Sequence, residues 1–371
     1  MRILTVNAGS SSLKLSVVGP DDGIESASDL PRGSGDSVAE AVAQFVAHAG
    51  LGAADAVGHR IVHGGSSFRE PALIDERVEQ ALAGLAALAP LHNPPAVEAV
   101  GLVRRLRPEL AQVACFDTAF HADLPAGAST YALPHAWNAR WGLRRYGFHG
   151  LSHAYASRRA AELIGRPVDE LRLVTAHLGS GASLAAVVAG RSVDTTMGFT
   201  PMEGLVMATR AGDVDPGLVL WLLRSGGLSA EEVEDALETG SGLLGLSGTS
   251  GDLRLVLAAG DAGDARAGLA YAVYLHRLRA GVASMVAAMD GLDALVFTGG
   301  AGEHSARLRR DACAGLGFLG VLIDDGADQG ESSDRLVSPT GASVAVAVVA
   351  AREDLEIARQ VRAVLGARPA G

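Results

Sequence analysis

The feature that most restricts the fold of this chain is a stretch that occurs twice. "ILTVNAGSSSLKLSVV" (residues 3–18) and "LRLVTAHLGSGASLAAVV" (171–188) share one plan: an apolar β-type run, a turn of small residues, and a second apolar run. Gly9-Ser10-Ser11-Ser12-Leu13 aligns with Gly179-Ser180-Gly181-Ala182-Ser183-Leu184, with one residue inserted. A repeat of this kind implies two domains built alike, each presenting a small-residue turn to one cleft. A chain of 371 residues is long enough for two such cores.

Between these hairpins, strand and helix signals alternate, which places the chain in the α/β class with mixed sheets. Val78, Leu82, Leu85 and Leu88 carry helical spacing across 75–89. "PLHNPP" (90–95) stops that helix, and Pro95 opens another to about Leu106. Val113–Phe116 reads as a strand ending at Asp117, and Ser152–Ile164 as a helix stopped by Gly165. Ser229 and Glu232 form a capping-box pattern, with the helix ending at Gly240. Residues 264–289 read as a long, mostly buried helix, and Leu295–Thr298 as a strand leading into "GGAGEHS". Val344–Val349 reads as a strand, and a final helix begins at Glu353. Residues 20–40, rich in Gly, Asp and Ser, read as a mobile surface loop.

The net charge of −11 comes with no basic tract, which argues against nucleic acid as the main partner. Cys115 and Cys313 lie in apolar context and read as buried free thiols of a reducing compartment. Met1-Arg2 runs straight into a strand pattern, and the longest uncharged run, 336–351, is broken by Pro339 and Gly341. The expectation is a cytoplasmic protein with no membrane partner.

Several stretches carry chemistry. A turn of small residues lets backbone N–H groups approach an anion, so the matched turns point to phosphate. Lys14, the single lysine among 31 basic residues, stands beside the first turn, where a compact ammonium can reach a phosphate. "VGHRIVHGG" (57–65) and "MATRAGDVDPG" (207–217) set Arg60 and Arg210 among small residues as candidate anion clamps. Asp117 in "CFDTAFH" ends an apolar run, where a catalytic carboxylate or a helix cap would stand. His149 in "RRYGFHGLSH" could donate to a phosphoryl oxygen. The spacings His149/His153 and His59/His63 would suit zinc, but neither pair is followed by a third ligand at usable spacing. "TGGAGEHS" (298–305) suits a base or ribose platform, or a plain βα turn. Glu353, opening the last helix, is a Mg²⁺ carboxylate or an acid favoured at a helix N-terminus.

Taken in order, "VNAGSSSLK", "GHRIVHGG", "LHNPP", "FDTAFH", "RRYGFHG", "HLGSGAS", "DTTMGFTPMEGL" and "FTGGAGEHS" resemble the acetate kinase family over nearly the whole chain. The resemblance implies the acetate and sugar kinase/Hsp70/actin fold: two duplicated actin-like (ribonuclease H-like) domains with a nucleotide cleft between them. The N-terminal domain would comprise 1–120 plus 353–371, and the C-terminal domain 121–352. The implied activity is reversible phosphoryl transfer from ATP to acetate, with propionate or butyrate kinase of the same family as the alternative. Mg²⁺ (or Mn²⁺) is the implied metal, ATP/ADP the co-substrate, and a homodimer the implied assembly.

By the same resemblance, Arg60, Asp117, His149 and Arg210 are catalytic, and Arg60, Val62, Leu91, Phe148 and Pro201 bind acetate. Asn7, Ser10, Ser12 and Lys14 form the first phosphate motif; His177, Gly179, Ser180 and Gly181 form the second. Asp252, Leu253, Arg254, Gly299, Gly300 and Gly302 match the adenosine pocket, and Asn7 and Glu353 the metal site. Departures are Ser180, where the family usually has Asn, "TSGD" (249–252) for Ser-Ser-Asp, and "AARED" (350–354) for Thr-Asn-Glu-Glu. ATP-gated binding and filament proteins share the fold but need no such convergence of two arginines, a histidine and an aspartate. A metal hydrolase is the more distant rival.

Overall fold

The computed structural model describes residues 1–8, 12–31, 45, 54–89, 92–329 and 334–366. Two compact units emerge: Met1–Asp123, Phe148–Tyr155 and Arg352–Gly371 form the first, and Leu124–Gly147 and Ala156–Ala351 the second. The first unit takes in residues 148–155, which lie inside the span 121–352 expected for the C-terminal domain, and this inclusion is a single short segment. Its physical cause is local: the Gly150 N–H donates to the Asp117 carbonyl at 3.0 Å, and His121 Nε2 bonds the Phe148 carbonyl at 3.1 Å.

The first unit holds a sheet of β1 (Ile3–Ala8), β2 (Ser12–Val18), β3 (Ile24–Pro31), β4 (Ala56–Ile61), β5 (Ala72–Leu73) and β6 (Ala111–Phe116), in the order β3-β2-β1-β4-β6-β5. The second holds β7 (Arg172–Leu178), β8 (Ala182–Val188), β9 (Arg191–Thr195), β10 (Ala294–Thr298), β11 (Arg335–Leu336) and β12 (Ala345–Val348), in the order β11-β12-β10-β7-β8-β9. Read from the other end, the second order repeats the first. The strand directions repeat too: β1 and β7 pair antiparallel with the next strand in sequence and parallel with β4 and β10. In each unit the third parallel strand carries an antiparallel edge strand. The duplication read from two hairpins therefore extends to the whole sheet.

Alternation along the strands sets which residues are buried on each face of the first sheet. Leu4, Val6, Leu13, Leu15 and Val57 pack with Ala99 and Val103 of helix Asn93–Leu106. Ile3, Val18, Ala56, Val113 and Cys115 pack on the opposite face with Ile357, Ala358 and Val361 of helix Glu353–Gly366. Gly58 is required by that contact, because a Cβ there would lie 2.3 Å from Ile357 Cγ2. Both cysteines are free and buried.

The capping box at Ser229 forms as expected, with Ser229 and Glu232 bonding each other's backbone. Two expectations are corrected. Residues 24–31, within the expected surface loop, form β3, because they pair in register with β2; 32–40 lie outside the described residues. Helix Ala265–Ala287 is buried along one stripe through Ala267, Ala270, Tyr274, Leu278, Val282 and Met285 rather than on most sides. Among the described residues no helix is long and apolar enough to cross a membrane.

Two rings buried in the first unit make stability depend on pH. Burial drives His59 and His121 down to about 4 from the ordinary 6.5; hydrogen bonds to Gln112 and the Phe148 carbonyl only partly oppose this. Between 6.5 and 4 the unfolded chain binds protons that the folded chain refuses, so stability is full above 6.5 and falls as the pH drops through that window. At the lower end each ring costs on the order of 3 kcal/mol. Calorimetry should show Tm falling between about pH 6.5 and 5, before most carboxylates titrate; a flat Tm there would contradict neutral burial of these rings.

Candidate active site

In the first unit, the functional side chains stand at the carboxyl ends of the parallel strands, where open α/β sheets present their ligand-binding residues. Val6 of β1 aligns with His59 of β4, so the next residues, Asn7 and Arg60, are neighbours. Arg60 aligns with Cys115 of β6, and Asp117, two residues on, faces the same side. The register thus brings together three residues far apart in sequence.

Arg60 Nε and Nη2 donate to the two Asp117 carboxylate oxygens at 2.9 and 2.6 Å, a planar bidentate pair. Its Nη1 donates to Asn7 Oδ1 at 2.9 Å and lies 3.3 Å from Glu353 Oε2. Asn7 Nδ2 donates to that same Glu353 oxygen at 2.6 Å. The Arg60 side chain is 11% exposed and that of Asp117 1%. Burial alone would weaken the Arg60 charge, but Asp117 and Glu353 override it and hold the guanidinium above its ordinary value. Burial pushes the Asp117 carboxyl up, and Arg60 and the His149 backbone N–H pull it back. The bidentate geometry requires the carboxylate, so we take Asp117 as ionised while Arg60 is seated on it.

His149 adopts φ +56°, a left-handed conformation that side-chain-bearing residues seldom take. A Cβ on the next residue, Gly150, would lie 2.0 Å from the Asp117 carbonyl oxygen, so only glycine fits there. The "FDTAFH" motif holds both neighbouring loops. Asp117 binds Arg60 and the His149 and Gly150 N–H groups, Thr118 Oγ1 accepts the Gly64 N–H at 3.1 Å, and His121 bonds the Phe148 carbonyl. The roles of Thr118 and His121 were missed because their partners lie 54 and 27 residues away in sequence; their signal was their place in the same motif.

Val62 and Phe148, expected at the acetate methyl, are both buried in the first unit. Leu91 and Ser10 lie outside the described residues, as do Gly9 and Ser11; Ser12 starts β2, with its side chain undescribed. Lys14 of β2 pairs directly with Asn7 of β1 and is exposed, with its ammonium 4.0 Å from Asp29, an exposed pair that contributes little.

In the second unit, Gly179–Gly181 form a tight turn: the Gly179 N–H donates to the Gly181 carbonyl at 2.9 Å, and the Ser180 carbonyl accepts the Ala208 N–H at 3.0 Å. His177, next to last in β7, pairs with Thr298 of β10. Gly299 has φ +76°, and a Cβ there would stand 3.0 Å from the Leu178 backbone; Gly300 and Gly302 continue the turn into a short helix. Asp252 caps helix Leu253–Asp261, with Arg254 forking onto its carboxylate and lowering its pKa. Leu253 is buried, whereas the Arg254 side chain is largely exposed.

Arg210 also belongs to the second unit. It is partly buried, burial weakens its charge, and its guanidinium contacts are the Pro201 carbonyl at 3.4 Å and the Met207 sulfur at 3.9 Å. Glu238 raises its pKa only from a distance, and among the described residues no carboxylate is hydrogen-bonded to the guanidinium, an arrangement that favours an incoming anion. The loop behind it is braced by Glu203, which accepts from Tyr131 and Arg145, while Arg145 Nη1 bonds the Thr196 and Met197 carbonyls at 3.0 and 3.1 Å. Glu203 was missed by sequence reasoning; a carboxylate inside the Gly/Pro-rich "TPMEGL" was the available signal. Among the described residues no three His, Cys, Asp or Glu side chains form a metal-holding group.

Residues 36–359 match the Acetokinase family. An acetate kinase from Synechococcus is 53% identical over 302 residues, covering 81% of this chain and 74% of that protein. The crystal structure of Porphyromonas gingivalis acetate kinase superposes with a TM-score of 0.90 at 35% identity, covering 98% of this chain and 99% of the other. That of a propionate kinase from Francisella tularensis does so with a TM-score of 0.88 at 36% identity, covering 97% and 98%.

Removing one partner of the buried pair should be costly. Asp117→Ala leaves a buried guanidinium facing only Asn7 and Glu353, and should lower unfolding free energy by about 3–5 kcal/mol. Denaturant titration checks this; a loss below about 1 kcal/mol would show the pair to be solvated.

Proposed function

The chain belongs to the Acetokinase family, and from that premise we propose that it transfers the γ-phosphoryl group of ATP reversibly to the carboxylate of acetate. The products are ADP and acetyl phosphate. An acetate oxygen forms a bond to the γ-phosphorus while the bond from that phosphorus to the bridging oxygen breaks, and the electron pair leaves with ADP. Acetate is already ionised, so the step needs no general base. The barrier is the approach of one anion to another, which calls for positioning and positive charge.

The observation that carries this reading is the Arg60 fork, held in a buried site by Asp117 before any substrate arrives. A preorganised cation stabilises developing charge without reorganising during the reaction. In this reading Arg210 supplies a second guanidinium, and His149 donates to a phosphoryl oxygen. Asp117 orients Arg60 and the His149 peptide. Val62, Leu91, Phe148 and Pro201 enclose the methyl group. Asn7, Ser10, Ser12 and Lys14, with His177 and Gly179–Gly181, bind phosphates, and Asp252–Arg254 with Gly299, Gly300 and Gly302 receive the adenosine.

The first-unit residues also suit a hard divalent cation. Arg60, Asp117 and Glu353 sum to one net negative charge, and Glu353 and Asn7 offer a carboxylate and an amide oxygen, the donor types of Mg²⁺ or Mn²⁺. When bound, the ion would neutralise charge on the nucleotide phosphates. Arg60→Ala or Arg210→Ala should lower kcat by roughly 10²–10³-fold, measured as hydroxamate formed from the acyl phosphate. Near-normal kcat in either variant would remove that arginine from the mechanism. A second reading, transfer to propionate, is favoured by the likeness to the Francisella enzyme. One methylene in an apolar pocket is worth about 1–3 kcal/mol, so the same assay with acetate, propionate and butyrate separates the two.

A homodimer completes the reading. Helix Pro216–Arg224 has no buried residue, and Leu218, Leu220 and Trp221 are 49, 46 and 57% exposed. So apolar a helix is normally covered. Asp213 and Asp215 stand at its start and Arg224 at its end, so two copies packed antiparallel about a two-fold axis would match opposite charges. Trp221→Asp should halve the mass measured by sedimentation; an unchanged mass would place any dimer contact elsewhere.

A further inference from the structure

We infer that His121 is a positioning residue for His149, fixing the peptide that carries it through the Phe148 carbonyl. This rests on the reading of His149 as a donor to the transferred phosphoryl group. The starting observation is the backbone of His149 at φ +56°. Such a conformation costs energy and persists only where the surroundings over-determine it. The ties that do so can be followed around the loop. The His149 N–H is held by the Asp117 carboxylate, and the Gly150 N–H by the Asp117 carbonyl at 3.0 Å. The His149 carbonyl accepts the His153 N–H at 2.9 Å as the helix begins. A further tie, on the peptide entering the strained residue, is His121 Nε2 to the Phe148 carbonyl at 3.1 Å.

A carbonyl only accepts, so His121 must carry its proton on Nε2. The ring is completely buried, which keeps it neutral, so a proton on Nε2 leaves Nδ1 unprotonated. It is wedged edge-on against Phe120 and His153, with centroids at 5.4 and 5.7 Å, and the His153 ring lies 6.4 Å from that of His149. His121 therefore reaches His149 by two routes, one through the peptide and one through packed rings. Filling this space alone would favour an apolar side chain, since burying an imidazole costs free energy that its hydrogen bonding must offset. What an apolar side chain could not do is set the plane of the Phe148–His149 peptide.

The test is a double-mutant cycle in the intact chain, read by steady-state kinetics in both directions. His149→Ala should lower kcat by about 10²–10³-fold. His121→Leu should lower kcat by about 10–100-fold, the scale of a small misplacement, with the KM for acetate moving less than about threefold. His121→Gln, whose amide nitrogen reaches the place of Nε2, should recover most of that loss. In the double variant, His121→Leu should add less than about twofold to the His149→Ala loss, because the residue it positions is gone. Additive losses, equal damage from Leu and Gln, or near-normal kcat in His121→Leu would each overturn the inference. Near-normal kcat in His149→Ala would overturn the reading beneath it as well. Thermal unfolding is followed in parallel. If His121→Leu lacks a cooperative transition, His121→Asn, whose amide is too short for the carbonyl, takes its place under the same criteria.

Discussion

The pair of Arg60 and Asp117 is the interaction on which the rest of the first unit's site depends. Burying two opposite charges is unfavourable unless nearly every donor and acceptor is engaged. Here the engagement reaches outward: Asn7 takes a third guanidinium N–H, Glu353 stands beside it, and the His149 N–H adds a bond to the carboxylate. Each partner comes from a different strand end or helix start. Satisfying one buried pair therefore draws five segments of chain to one point, and the proposed role of Arg60 toward an anion rests on that rigidity.

The duplicated sheet shows how that point became chemically distinct. The registers equate β1 with β7, β4 with β10 and β6 with β12. Counting along them, Asn7 corresponds to His177, Arg60 to Thr298 and Asp117 to Ala351. The first unit places a charged pair where the second places a hydroxyl and a methyl group. Immediately afterwards the second unit has Gly299 and Gly300 where the first has Ile61 and Val62. One copy concentrates charge; the other has glycines, and the backbone of Gly299 packs closely on that of Leu178. The two halves share a topology and differ in what stands at its strand ends.

Much of this was legible beforehand because it rests on local chemistry. Hairpins at 3–18 and 171–188 and the capping box at Ser229 follow from short-range patterns, as does the choice of Arg60 among small residues and of Asp117 at the end of an apolar run as candidates. What was illegible depended on distance. Strand β3 looked like a loop because its Gly, Asp and Ser content hides a pairing that only β2 makes favourable. The helix at 265–287 looked buried because apolar letters do not say which side has a neighbour. Thr118 and His121 gave no local signal, since their partners, Gly64 and Phe148, lie 54 and 27 residues away.

By itself the sequence determined that there are two similar α/β units, that small-residue turns recur in both, and that a few arginines, a histidine and carboxylates stand beside them. Those are consequences of side-chain periodicity, turn chemistry and composition, which act over a few residues. Only the tertiary structure decided that Arg60 is already paired with Asp117, that a strained His149 is bound into the first unit by residues 117 and 121, and that Arg210 has no carboxylate seated on it among the described residues. Parallel strands join residues whose separation along the chain carries no local signal, and burial then sets which charges must be matched within the fold and which are left for a ligand.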